Sequence, residues 1–467
     1  MKNRFIYALL IALAAMAAGV LLLSGQQPGD ITGRITSGEK PRIAVIDFRG
    51  SGDAQRLMDG FNQTLWDELA GSGVLDMVAK SMYPLTAPQQ PSDFKPPSSL
   101  APLRRGDAPR VQNNGPWLTD WSNPPVKTNY LAFGYTAVQG GQLVLFGWLY
   151  NVGKPDPGSA QVIGKLYYGP VDADGAKKVA REFAADILQQ FGAKSLAGTK
   201  IYFVSDRTGN KEIWSMDYDG SNQRQLTQYK SVSTMPAVSP DGKMVAFTTY
   251  AQGNPKIMIY STETNRRLPF YNPVSSAVET PEFTPDMQHV LYGASLDGWV
   301  QICIADLSGG NMRRLSHVRA IEVSPKVNPQ NPTQMLFITG RSGSEQMWRM
   351  NIDGGDLAQL TNGEGYVANP AWSPNGQLIA FAWTKGYEPG NYNIFIMDVA
   401  SKKYVQLTHG TGRNENPWWA PDGVHLVFSS KRGQVTQLYT MLADGTHVQQ
   451  LTTQGSNIQP VWAKGIN

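Results

Sequence analysis

The chain has 467 residues, more than one hydrophobic core ordinarily organises, so two or three domains are expected. Its 41 Lys and Arg against 37 Asp and Glu leave a net charge of +4 spread along the sequence, which excludes the concentrated basic footprint of a nucleic-acid binder. A single cysteine, Cys303, excludes an intrachain disulfide, and 47 Gly with 31 Pro lean toward short strands joined by tight turns.

Lys2 and Arg4 precede an apolar run over residues 5–23, the layout of an export signal, and no cysteine follows that a lipid would modify. Residues 1–25 therefore read as a signal peptide or a membrane anchor. Cleavage after Ala17 satisfies the small-residue rule and Ser24-Gly25 offers a second place. The run also suffices to span a bilayer at about 1.5 Å per residue, so release and retention both stay open. Residues 26–40 are expected to form a flexible N-terminal segment.

Residues 41–196 have the grammar of a small α/β domain. PRIAVIDF (41–48) reads as a buried strand, and Leu57, Phe61, Leu65 and Leu69 recur at helical spacing behind Asp53 as the N-cap. Between Pro84 and Pro125, ten prolines and little periodicity predict a long irregular excursion on the surface. NYLAFGYTAV and QLVLFGWLYNV flank Gly140-Gly141 as a hairpin, and Val179, Phe183 and Ile187 mark a second helix ending near Gly192.

From residue 198 to 467 the sequence repeats. PAVSPDGKMVAF (236–247) returns as PEFTPDMQHVLY (281–292), PKVNPQNPTQMLF (325–337), PAWSPNGQLIAF (370–381) and PWWAPDGVHLVF (417–428). The leading prolines, with Pro460 closing the series, are 45, 44, 45, 47 and 43 residues apart. Segments such as EIWSMD and RQLT supply a third and a fourth strand, so each unit has the four strands of a propeller blade. The second strand of each unit (MVAFTT, LIAFAW) is apolar at nearly every position, as expected for a sheet buried on both faces. The first unit lacks a Pro-led strand and the last ends on an orphan one, PVWAK (460–464). The two fragments complete one blade, and six blades close without free edges, each proline starting an innermost strand. The fold class is therefore multi-domain, with a small N-terminal α/β domain followed by an all-β six-bladed β-propeller closed by the C-terminal strand.

These blades (PxWSPDG, IAF, IYxMD, QLT), the order of domains, and the PQQP stretch (88–91) after the first helix resemble the TolB family, the periplasmic component of the Tol-Pal envelope system. The resemblance covers roughly residues 30–467. It implies a periplasmic protein-binding scaffold serving envelope integrity and cell division, with a peptidoglycan-associated lipoprotein (Pal) at the propeller face. It also implies that a short N-terminal segment engages the inner-membrane-linked partner TolA; DITGRITSGEKPR (30–42), with Ile31, Arg34 and Ile35, occupies that place. The family's Pal-facing residues sit in the loops leading into the innermost strands, which puts Thr234, Thr280, Asn369, Glu415, Asn416 and Gln459 forward as candidates. The competing reading is that these polar groups only satisfy hydrogen bonds at strand starts. The expected assembly is a monomer with no cofactor.

No enzymatic constellation is legible. His289, His317, His409, His425 and His447 are scattered without metal-ligand spacing, and no GxSxG elbow occurs. MDYDG (216–220) opens like a calcium loop but lacks the distal ligands, so turn chemistry is expected of it. Arg105-Gly106-Asp107 reads as a chance tripeptide in the excursion, and SDRTGNKEIW (205–214) as hairpin geometry. The reading is non-enzymatic. The alternative is an exported propeller with an enzymatic role, either a metal-dependent lactonase-like enzyme or the substrate gate of a separately encoded peptidase.

Overall fold

The computed structural model describes residues 39–95, 116–154, 156–410 and 412–465. The expected signal or anchor, Ile31, Arg34 and Ile35, and the centre of the proline-rich stretch lie outside the described residues. Among the described residues no helix is long and apolar enough to cross a membrane.

The first unit is a six-stranded sheet. Strands β1 (Arg42–Val45), β2 (Arg49–Gly50), β3 (Asp76–Met77), β4 (Tyr130–Gln139), β5 (Gln142–Asn151) and β6 (Gln161–Gly169) run in the order β3-β1-β4-β5-β6, with β2 beside β4. β1 is parallel to β3 and β4, while β4 to β6 form an antiparallel meander. The β4–β5 turn takes Gly140 and Gly141 at φ +58° and +78°, the positive-φ pair that a tight hairpin requires. Helices α1 (Met58–Gly71) and α2 (Ala173–Gln190) cover one face, burying Phe61, Leu65, Leu69, Val179, Phe183 and Ile187.

Two expectations change here. Asp53 is not an N-cap: it lies inside a 3₁₀ turn (Gly52–Leu57), and the α-helix starts at Met58 without a side-chain cap. The chain must turn tightly off β2 there, because Ser51 N–H donates to the Thr136 carbonyl on β4 and Asn62 takes both backbone groups of Phe48. The proline-rich stretch is not simply a surface excursion. Its described flanks bury Phe94, Leu118 and Trp121 against Phe133 and Tyr150, forming the core of the second sheet face. Apolar side chains of that size gain too much from burial to stay on the surface.

The propeller has six four-stranded antiparallel sheets. Blade 1 combines Lys200–Ser205, Glu212–Asp217 and Arg224–Gln225 with the C-terminal strand Asn457–Ala463 as its innermost member, so the ring closes as the repeat arithmetic requires. Trp462 Nε1 donating to Thr199 Oγ1 at 2.9 Å, and Ser456 N–H to Asp206 Oδ1 at 2.7 Å, fasten that closure. The threonine of each QLT segment has a repeated task. Thr227, Thr361, Thr408 and Thr452 each accept the second N–H of the blade's third strand through Oγ1, at 2.8 to 2.9 Å.

Every innermost strand starts, and every second strand ends, at one face of the ring. The α/β unit packs on the opposite face, against turns of blades 1 and 6. There His425 sits between two acceptors, the Asp422 carboxylate at 2.6 Å from Nδ1 and the Gly71 carbonyl at the end of α1, 2.7 Å from Nε2. Donating to both requires the doubly protonated imidazolium. Arg181 on α2 pairs with Glu68 on α1 at 3.2 Å and with Asp219 of blade 1 at 2.7 Å, and Tyr218 also hydrogen-bonds Glu68. Asp67, Lys177 and Lys194 also line the cavity, about 530 Å³, between the two units.

Burial opposes the His425 cation, but the hydrogen bond and charge of Asp422 and the Gly71 carbonyl outweigh it and hold its pKa above the ordinary histidine value. Burial pushes the Glu68 carboxyl up to about 7, against the downward pull of Arg181. Both folded-state values lie above the unfolded ones, so both contributions are complete below the ordinary values and fade as pH rises through the raised ones. Raising pH from about 6 to about 8 is therefore expected to lower the melting temperature of the whole chain, and His425→Gln should flatten that fall. An identical fall in the variant, followed by circular dichroism, contradicts the role of the His425 bridge.

Candidate partner-binding face and channel vestibule

The innermost strands surround the channel, and each has the same irregularity. Pairing with the second strand shifts register across the proline, for example between Thr234 and Ala237, Glu279 and Glu282, and Glu415 and Trp418. The residue before each proline, Met235, Thr280, Ser324, Asn369, Asn416 or Gln459, has φ between +52° and +56°. The prolines thus sit within the strands, not at their starts, because a bulge needs no ladder donor at that position. The candidate residues accordingly lie on bulged strands, not in the loops expected of them.

Positive φ turns the side chain before each proline along the ring. Met235 N–H donates to Gln459 Oε1 at 2.8 Å, Ser324 N–H to Thr280 Oγ1 at 3.4 Å, and Asn416 N–H to Asn369 Oδ1 at 3.4 Å. Three of the six junctions between neighbouring inner strands are tied in this way.

Inside the ring lies a vestibule of about 100 Å³ lined by Thr280, Ser324, Lys326, Asn369, Asn416, Trp418 and Gln459 among the prolines. Lys326 forms its charged wall: Nζ is 2.6 Å from Glu282 and 4.5 Å from the centroid of the Trp418 ring, two blades away. Burial raises the Glu282 pKa although Lys326 pulls it down, as expected when a carboxylate loses water. Around the mouth, the connectors expose Tyr250, Val274, Ile321, Tyr366 and Tyr387, and a third strand exposes Trp299 at its start, so the face opposite the α/β unit carries an apolar rim.

Of the predicted residues, Thr280, Asn369, Asn416 and Gln459 line the vestibule together. Thr234 stands behind them, its hydroxyl donating to Gln459 Oε1 at 2.5 Å, and Glu415 is engaged by Arg413 at 2.7 Å. Sequence reasoning missed Lys326, Trp418 and Ser324. The signal was present: the residue after each proline is Ala237, Glu282, Lys326, Ala371, Trp418 or Val461, so three positions break a small, apolar pattern. His425, one of the five scattered histidines, bridges the two units, and the MDYDG turn carries Asp219 to Arg181. Among the described residues no three His, Cys, Asp or Glu side chains converge to hold a metal.

These features define a closed six-bladed propeller with a polar vestibule and an apolar rim on the face its companion domain leaves open. The sequence matches the family described as PD40, TolB beta propeller domain, over residues 189–386 and 358–465, and the chain belongs to that family. A TolB homologue of Chlorobium luteolum is 33% identical over 199 residues, covering 42% of this chain and 44% of that protein. A relative named Tol-Pal system protein TolB, from Desulfosudis oleivorans, is 32% identical over 193 residues, 41% and 42% of the two chains. The matched stretches thus span less than half the length of these curated relatives. The solved structure of TolB from Acinetobacter baumannii superposes with a TM-score of 0.70, covering 91% of this chain and 97% of its own, at 21% identity, which shows a shared fold.

The Lys326–Glu282 pair gives a direct test of the channel. Lys326→Met strands a buried carboxylate and is expected to cost about 3–5 kcal/mol in denaturant unfolding, whereas adding Glu282→Leu restores most of that loss. Additive losses in the double variant contradict the pairing.

Proposed function

We propose that this chain is a non-enzymatic periplasmic scaffold of the Tol-Pal type. Its channel-mouth face docks a Pal-like peptidoglycan-associated lipoprotein, and its N-terminal segment 26–40, with Ile31, Arg34 and Ile35, engages a TolA-like inner-membrane-linked partner. The observation that carries the first half is the apolar rim of aromatic and aliphatic side chains around a polar vestibule, on the face the α/β unit leaves uncovered. Large aromatic residues in an exposed ring have the character of a protein interface, and Thr280, Asn369, Asn416 and Gln459 supply its polar centre, flanked by Thr234 and Glu415. Family membership and the name of the Desulfosudis relative support the Tol-Pal assignment. The two binding events are coupled by population shift: the N-terminal segment is docked or free, and each partner favours one state.

Titration calorimetry with the soluble domain of the Pal-like lipoprotein from the same cell tests the face. Trp299→Ala and Tyr387→Ala are each expected to weaken binding by about 1 kcal/mol or more, roughly fivefold, without changing the melting temperature. Deleting residues 26–40 is expected to abolish capture of the TolA-like partner and alter the Pal affinity. Unchanged affinity for both partners refutes the coupling, and failure of the lipoprotein to bind the intact chain refutes the scaffold reading.

A further inference from the structure

We propose that the vestibule is a carboxylate subsite that receives one acidic side chain from the tip of a partner loop, an inference that rests on the reading of this face as a docking surface. The ring of inter-blade hydrogen bonds decides the chemistry. Gln459, Asn369 and Thr280 each use an oxygen to accept the N–H of the next blade's bulge. That use orients the groups: the Nε2 of Gln459, the Nδ2 of Asn369 and the hydroxyl hydrogen of Thr280 have no acceptor among the described residues. The Ser324 hydroxyl likewise has none. Three of the oxygens are thus engaged along the ring, while the donors of the same groups remain for whatever enters.

Charge points the same way. Among the described residues Lys326 is the one ionisable side chain lining the vestibule, and its ammonium carries three N–H donors, of which Glu282 takes one. Glu279 and Glu415, close by in sequence, do not line it. A carboxylate has only acceptor sites, so it satisfies amide, hydroxyl and ammonium donors together, and each such bond is charge-assisted. The volume of about 100 Å³ accommodates a side-chain tip and no secondary-structure element.

Two substitutions isolate this chemistry. Gln459→Glu and Asn369→Asp keep the oxygen that the neighbouring N–H requires, and so keep the ring, while replacing a donor with a carboxylate. N-acetyl-glutamate methylamide, with N-acetyl-glutamine methylamide as the neutral control, is titrated into the full chain while the side-chain amide NMR signals of Gln459 and Asn369 are followed. The acid is expected to move both signals saturably and the amide to leave them in place; equal responses, or no response to the acid, overturn the proposal. Each variant is also expected to weaken the soluble domain of the Pal-like lipoprotein roughly tenfold or more through like-charge repulsion. If that domain binds the variants and the unchanged chain equally, the subsite falls and the docking reading stands. If it binds none of them, the docking reading falls and the glutamate titration alone decides the subsite.

Discussion

The propeller depends on one backbone constraint, a left-handed residue held before a proline at the same place in every innermost strand. A following proline favours an extended predecessor, yet the bulge holds that residue at φ near +53°, at a cost of about 1–2 kcal/mol per non-glycine residue. The return is geometric. Six side chains are redirected from the blade faces onto the ring, where three of them accept a neighbour's N–H and together shape the vestibule. Strain that recurs at equivalent positions around a closed ring is borne by the architecture, since every blade is held by the two beside it.

The same inner strand joins the two ends of the molecule. In blade 1, Gln459 lines the vestibule and Trp462, three residues on, lines the cavity against the α/β unit. One face therefore presents donors and an apolar rim, and the other is occupied by a contact built on titratable and charged groups: His425, Asp422, Arg181, Glu68 and Asp219. An inter-unit contact made of charges is more responsive to its surroundings than an apolar one, because its strength depends on protonation and solvent access. Within the channel, Glu282, Lys326 and Trp418 make a sixfold ring asymmetric, and a site with one orientation becomes possible where repetition alone would give none.

Much of this was legible in the residues. The spacing of the blade prolines, the doubly buried second strands and the orphan PVWAK segment suffice for six blades and for the way they close, because strand period and edge avoidance act locally and repeatedly. The α/β helices were readable from Phe61, Leu65, Val179 and Phe183. Four vestibule residues were reached through their place before the prolines. Lys326 and Trp418 were not, because their significance lies in contacts across the channel between blades far apart in sequence. Phe94 and Trp121 were lost in a proline-rich stretch whose composition speaks for loop while its aromatic residues speak for core.

By itself, then, the sequence determined what repeats: strand periods, turn chemistry, the number of blades and the family to which they belong. Tertiary structure alone decided that Gln459, Asn369 and Thr280 spend their oxygens on neighbouring blades and leave their donors without an acceptor among the described residues, that Lys326 meets Glu282 and Trp418, and that His425 reaches the end of α1. The physical reason is one of range. Backbone propensity and hydrophobic period are fixed by residues a few positions apart, whereas the direction of a hydrogen bond or the partner of a buried charge is set by whichever element the closed ring brings alongside.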